Sequence, residues 1–188
     1  MKALIVCATK YGSTLEIGRW IAERLGFEDI AAHVRRPDEV GSLEEYDLII
    51  MGSGIYSHGV LPELKTFVES GKESLIDKKI ALFGVAMKKE PVFHKGKVHG
   101  GLHYLMPLVE ILGDSVIHAD ILLGEMVPQK MDDKDKEGLM RFYNHLGLSH
   151  DEIKARMSPR TLMHKRECWE FAEAVMKKAD GGRHADKK

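Results

Sequence analysis

Two stretches of this chain combine residue types that could hold a small ligand. The first is Thr9-Lys10-Tyr11-Gly12-Ser13-Thr14, which follows an apolar run and leads straight into a helical pattern. Hydroxyls on both sides of a glycine at a helix start suit a phosphate group. Exposed amides and the helix dipole attract the anion, and the hydroxyls donate to its oxygens. The competing reading is plain capping, because Ser13 with Glu16 three residues later has the spacing of a capping box. Other phosphate loops fail on single residues. A P-loop needs a Gly-Lys-Ser/Thr ending, a cysteine phosphatase loop starting at Cys7 needs an arginine where Ser13 stands, and a dinucleotide turn needs more glycines than Gly12.

The second stretch is Gly52-Ser53-Gly54-Ile55-Tyr56-Ser57-His58-Gly59, followed by Val60-Leu61-Pro62-Glu63-Leu64-Lys65. Glycines allow the backbone to approach a flat ligand closely and to change conformation. Tyr56 could stack on such a ligand or simply pack the loop against its sheet. Weaker candidates lie elsewhere. Cys7 sits inside an apolar run and reads as buried packing. His99 and His103 have the four-residue spacing of a metal pair, with His94 nearby, but Gly100 and Gly101 argue against a helix between them. No cysteine completes the set, so these read as solvated loop histidines and no metal is expected. The acidic run from Asp132 to Glu137 reads as a solvated face or a helix start.

These loops need a scaffold, and the punctuation of the chain supplies one. Apolar β-branched runs at Ala3–Ala8, Asp29–Val34 (weaker, at or near an edge), Tyr46–Gly52, Lys79–Ala86 and Ser115–Gly124 predict five strands. Between them lie helical patterns at Thr14–Leu25, Glu63–Ser70 (with Pro62 at its start), Leu102–Leu112 and finally Pro159–Lys178. On the last, Trp169, Ala172 and Met176 share one face. Strands alternating with helices predict a parallel sheet covered on both sides, with ligands outside the carboxyl ends of its strands. The loops after Ala8, Gly52 and Ala86 therefore face the candidate site. Residues 126–158 form an insertion, and 1–178 read as one domain followed by a flexible tail at 179–188.

Composition narrows the function classes. Over 188 residues, 28 basic against 29 acidic residues give a net charge of −1, which disfavours nucleic acid as a partner. Hydrophobic residues at 44% and charged residues at 30% exclude a disordered or fibrous chain. A chain of this length can bury roughly 70% of its unfolded surface without staples. No apolar run approaches the ~20 residues of a membrane span. Two cysteines, Cys7 and Cys168, form no CxxC pair and suit a reducing cytosol, so a cytoplasmic protein is expected.

TxxGxT after the first strand, GSGIY after the third and a PELKxF helix start resemble the flavodoxin family over roughly residues 1–125 plus the final helix. The start MKALIVCATKYGSTLEIG and the long insertion are most similar to flavodoxin-domain proteins related to the flavin-dependent protoporphyrinogen oxidase of bacteria. The resemblance implies an α/β three-layer sandwich with a five-stranded parallel sheet in the order 2-1-3-4-5. It implies FMN as cofactor, with phosphate contacts from Thr9, Lys10, Tyr11, Gly12, Ser13 and Thr14. It implies ring contacts from Gly54, Ile55, Tyr56 and Ser57, and a third loop, Ala86-Met87-Lys88-Lys89, at the pyrimidine edge. Carrier flavodoxins are strongly acidic and place acidic residues and often an aromatic in that third loop. This chain has a lysine pair there, its nearest aromatic is Phe93, and its insertion starts acidic. An FMN-dependent oxidoreductase or electron-transfer protein is therefore expected, working with a redox partner protein or a small-molecule electron acceptor, alone or as a homo-oligomer. A protoporphyrinogen-oxidase-type dehydrogenase and a flavin-free interaction module are the alternatives.

Overall fold

The computed structural model describes residues 1–94 and 96–181. The chain runs through β1 (Lys2–Ala8), α1 (Ser13–Gly26), β2 (Ala31–Arg35), β3 (Leu48–Tyr56), β4 (Gly59–Val60), α2 (Pro62–Leu75) and β5 (Lys79–Ala86). It continues through the hairpin strands β6 (Val92–His94) and β7 (Lys97–His99), then α3 (Met106–Leu112), β8 (Val116–Leu123) and β9 (Glu125–Met126). The helices α4 (Asp133–His145) and α5 (His150–Arg156), the short β10 (Arg160–Thr161) and α6 (Lys165–Gly181) complete it. The main strands pair in parallel in the order β2-β1-β3-β5-β8. Counting only these five, the order is 2-1-3-4-5, as the motifs imply, with β2 at an edge.

Alternation along each strand divides the core between two faces. Ala3, Ile5 and Cys7 of β1 join Phe83 of β5 on the face covered by α1 and α6, against Ile17, Ile21, Phe171 and Val175. Leu4, Val6 and Ala8 point to the opposite face, which α2 and α3 cover with Leu64, Val68, Leu108 and Leu112. Each Leu or Ile buried in this way contributes roughly 1.5–3 kcal/mol relative to exposure. Two apolar faces on one sheet require two helical layers, and the chain supplies both.

Several expected boundaries shift, each for a local reason. The third strand starts at Leu48 and runs past Gly52 to Tyr56, because Ile55 and Tyr56 pair with Val60 and Gly59 in a hairpin. Gly54, Ile55 and Tyr56 are thus strand residues, not loop residues. The helix expected over Leu102–Leu112 splits into a 3-10 turn at Gly101–Tyr104 and α3. Pro107 has no N–H for the preceding turn and starts a new helix instead. The helix expected from Pro159 starts at Lys165, since Arg160 and Thr161 pair antiparallel with Met126 and Glu125. This pairing closes the neck of the insertion, whose interior is α4 and α5. At the other end α6 runs through Ala179, which is fully buried, to Gly181. The flexible tail therefore cannot begin at 179, and residues 182–188 lie outside the described part.

Candidate functional site

The loop after β1 turns into α1 through Gly12, which is the residue preceding the helix and has φ 101°. That left-handed conformation strains any residue with a Cβ, so glycine is required here. The capping box expected from Ser13 and Glu16 does not form, and no side chain caps α1. The first amides of a helix have no partner within the helix, so this helix start is left without a side-chain acceptor. Thr9 Oγ1 accepts the Gly12 amide at 2.9 Å, which holds the loop closed while leaving the Thr9 hydroxyl proton to donate. Thr14 is almost fully buried, and its hydroxyl has no hydrogen-bond partner. A buried, unpaired hydroxyl costs about 1–3 kcal/mol unless something answers it. An anion at the uncapped helix start would do so.

Tyr56 links this loop to the second one. Its ring lies across Gly54, where a Cβ would approach its Cε2 to 2.6 Å, so only glycine admits that placement. The Tyr11 ring stands 6.1 Å from it at 59°, and Lys10 Nζ lies 5.4 Å above its centre. Burial holds the Tyr56 phenol well above its ordinary range, so it stays neutral at all working pH. Ser57 and His58 both adopt positive φ, 48° and 68°, at the tip of the β3–β4 hairpin. Such geometry in two consecutive non-glycine residues is costly and tends to gather at ligand-binding sites.

The third loop sends its two lysines in different directions. Ala86 ends β5, its carbonyl accepts the Gly124 amide at 2.9 Å, and Met87 is half-buried. Lys88 is exposed, but Lys89 turns to the last helix and pairs with Glu167 at 2.8 Å. The charge expected at the pyrimidine edge is thus shared with a carboxylate of α6. Cys7 is fully buried, and burial pushes its thiol up to about 12, which fits its role in packing.

Partners that other elements bring to the site escaped the reading of the sequence. Asp135 of α4 accepts Lys10 Nζ at 2.9 and 2.7 Å and the Tyr11 hydroxyl at 2.7 Å. The hydrogen bond to Asp135 holds the Lys10 ammonium above its ordinary range. Burial works against the Asp135 charge, but hydrogen bonds from Lys10 and Tyr11 hold the carboxyl below its usual range. Arg36 Nη1 reaches the Thr9 carbonyl at 3.5 Å and places a second cation beside the loop. Ser53, buried on β3, pins the start of α2, and His58 Nδ1 lies 3.0 Å from the Tyr104 hydroxyl. Asp132, the residue capping α4, carried a readable signal, since an Asp before a charged helical run marks a helix start. The Lys10–Asp135, Arg36–Thr9 and His58–Tyr104 contacts join residues 125, 27 and 46 positions apart, which local pattern does not show. Among the described residues, no group of three or more His, Cys, Asp or Glu is placed to hold a metal ion, and no helix is long and apolar enough to cross a membrane.

The fold is shared with solved structures. The fold matches flavodoxin 1 of Bacillus cereus with a TM-score of 0.56 at 18% identity, over 94% of this chain and 98% of that one. It matches the two-electron reduced flavodoxin of Megasphaera elsdenii with a TM-score of 0.57 at 17% identity, over 93% and 98%. It also matches the rubredoxin oxygen:oxidoreductase of Desulfovibrio gigas with a TM-score of 0.54 at 15% identity, over 94% of this chain but 36% of the other. No curated protein sequence matches the chain. Residues 4–98, half of the chain, match the model of a flavodoxin domain. The chain belongs to the flavodoxin domain family, and at that level it is a flavin-binding electron-transfer domain.

Proposed function

We propose that this protein binds FMN and uses it as an oxidoreductase. The observation that carries the reading is the Thr14 hydroxyl, buried and unpaired at an uncapped helix start. Thr9, Gly12, Ser13 and Thr14 would hold the phosphate through hydroxyls and backbone amides, with Lys10 and Tyr11 on the outer rim. Gly54, Ile55, Tyr56 and Ser57 would flank one side of the ring, and Ala86, Met87, Lys88 and Lys89 the other. Bound FMN would supply the electron chemistry, and the protein would set its orientation and potential. Tyr56 stays neutral and offers an apolar ring face beside the β3–β4 hairpin.

An enzyme is favoured over a carrier by the material beside the site. His58 is bordered by His99 and Phe142 at ring distances of 5.5 Å each and by Tyr104. These residues surround the hairpin tip with aromatic and proton-bearing groups, which suits a small acceptor better than an open protein-docking edge. The long insertion and the chain's start favour a narrower kinship, to the flavin-dependent protoporphyrinogen oxidase of bacteria. We place the protein in the cytoplasm, working with a redox partner protein or a small-molecule electron acceptor.

The test is a titration of apo-protein with FMN, FAD and NADH, beside a visible spectrum of the protein as purified. FMN should bind tightest. Tighter binding of either dinucleotide, or a colourless protein that takes up no flavin, defeats the reading. Turnover with quinones and with protoporphyrinogen as alternative substrates separates the enzyme classes, and absence of turnover with any acceptor returns the protein to carriage.

A further inference from the structure

One helix of the insertion touches both loops assigned above to the flavin. In its first turn, Asp135 accepts Lys10 and Tyr11, and the Asp132 amide donates to the same Tyr11 hydroxyl at 3.2 Å. Near its end, Phe142 meets the His58 ring edge-on at 5.5 Å. A helix rises about 1.5 Å per residue, so residues 135 and 142 stand about 10 Å apart along it. That length carries α4 from the loop after β1 to the hairpin after β3, across the carboxyl edge of the sheet.

The two ends differ in chemistry. The Phe142–His58 end is an aromatic contact between exposed residues. The Asp135 end is a cluster of hydrogen bonds in which the carboxylate has one oxygen on Lys10 and the other on both Lys10 and Tyr11. Asp132 caps the same helix, its Oδ1 accepting the Asp135 amide at 2.7 Å, so the start of α4 is already answered by its own carboxylate. A second anion arriving at this corner meets Asp132, Asp133 and Asp135. The start of α1 has no side-chain cap, and the buried Thr14 hydroxyl there has no partner.

We propose that α4 is a strap across the flavin edge, and that its Asp135 end closes the phosphate pocket behind a single phosphate. The insertion, acting through Lys10 and Tyr11, is then what restricts this site to a mononucleotide. This rests on the FMN reading, and Asp135 is a positioning residue in it.

The experiment compares the affinities of FMN, FAD and riboflavin for the full-length apo-protein, wild type beside Asp135→Ala and Tyr11→Phe. Tyr11→Phe keeps the ring against Tyr56 and removes only the hydroxyl that α4 grips. The wild type should prefer FMN to FAD by about a hundredfold, and each variant should cut that preference by about tenfold through tighter FAD binding. Riboflavin, which has no phosphate, should bind all three proteins alike. A preference unchanged in both variants overturns the proposal, as does one that narrows only because FMN weakens. A wild type that binds FMN and FAD equally overturns the strap and leaves flavin binding standing, whereas a wild type that binds no flavin overturns the functional reading itself.

Discussion

The hydroxyl of Ser53 accepts the Leu61 amide at 2.8 Å and donates to the Gly54 carbonyl at 2.8 Å, inside a fully buried position on β3. One oxygen thereby ties the strand that carries Gly54, Ile55 and Tyr56 to the residue that starts α2. Ser53→Ala would leave the Leu61 amide buried without a partner, at a cost of about 1–3 kcal/mol. Urea denaturation of the apo-protein should show that loss as a lower midpoint with an unchanged slope. A midpoint equal to wild type would mean that water replaces the hydroxyl.

Gly18 of α1 faces Cys7 of β1 so closely that a Cβ there would stand 2.5 Å from the sulfur. Gly18→Ala should destabilise the protein by about 1–3 kcal/mol, since the helix must move off the sheet. Truncating the sulfur gives the methyl room, so Cys7→Ala with Gly18→Ala should be less destabilised than the sum of the two single changes. Strict additivity in thermal or chemical denaturation would show that Ile5 and Val34, each 3.4 Å from the same point, set the limit instead.

Much of this architecture is written locally. Alternating apolar runs locate the strands, and the Thr9–Thr14 spacing locates a helix start whose glycine and buried threonine both fall where they are needed. What is absent from local pattern is long-range partnership. Lys10 and Asp135 stand 125 residues apart, and nothing at either position names the other. Lys89 follows a loop that resembles the family's pyrimidine-edge segment, yet it finds Glu167 on a helix seventy-eight positions further on. The hairpin tip was hidden for a different reason. Its left-handed residues are Ser57 and His58, where sequence rules look for Asn or Gly. The late start of α6 depends on β9 pairing with β10, a tertiary event that overrides the helical character of the segment after Pro159.

His118 on β8 gives the fold a pH dependence of known sign. Its ring stacks on Phe171 at 5.2 Å and its Nδ1 lies 3.1 Å from Lys178 Nζ, so the neutral imidazole serves as acceptor. Burial first, and the Lys178 charge second, hold its pKa below the ordinary value, with Asp120 opposing them. Stability from this contact is complete above an unfolded pKa of about 6.5 and is lost as pH falls through the lowered folded value. NMR titration should show His118 protonating at lower pH than the solvated histidines. His118→Gln should reduce the loss of stability as the pH falls below about 6.5. An ordinary titration for His118 would show that α6 does not shield it.

Thr14→Val separates folding from binding at the centre of the site. Valine keeps the shape of threonine and removes the hydroxyl, which in the ligand-free protein is buried and has no partner. Removing a buried unsatisfied group relieves a cost of about 1–3 kcal/mol, so the apo-protein should become as stable as wild type or more so. Flavin binding should move the other way. A hydroxyl donating to a charged phosphate contributes about 1.5–3 kcal/mol, so FMN affinity should fall by roughly tenfold or more. Riboflavin should bind the variant as it binds wild type, because it brings nothing for Thr14 to hold. Lys10→Ala should have the smaller effect on FMN, since that ammonium is already committed to Asp135. Apo-protein melting curves and fluorescence titrations with the two flavins measure both sides. A variant that loses stability and binds FMN as wild type does would show that the Thr14 hydroxyl serves the fold and not the phosphate.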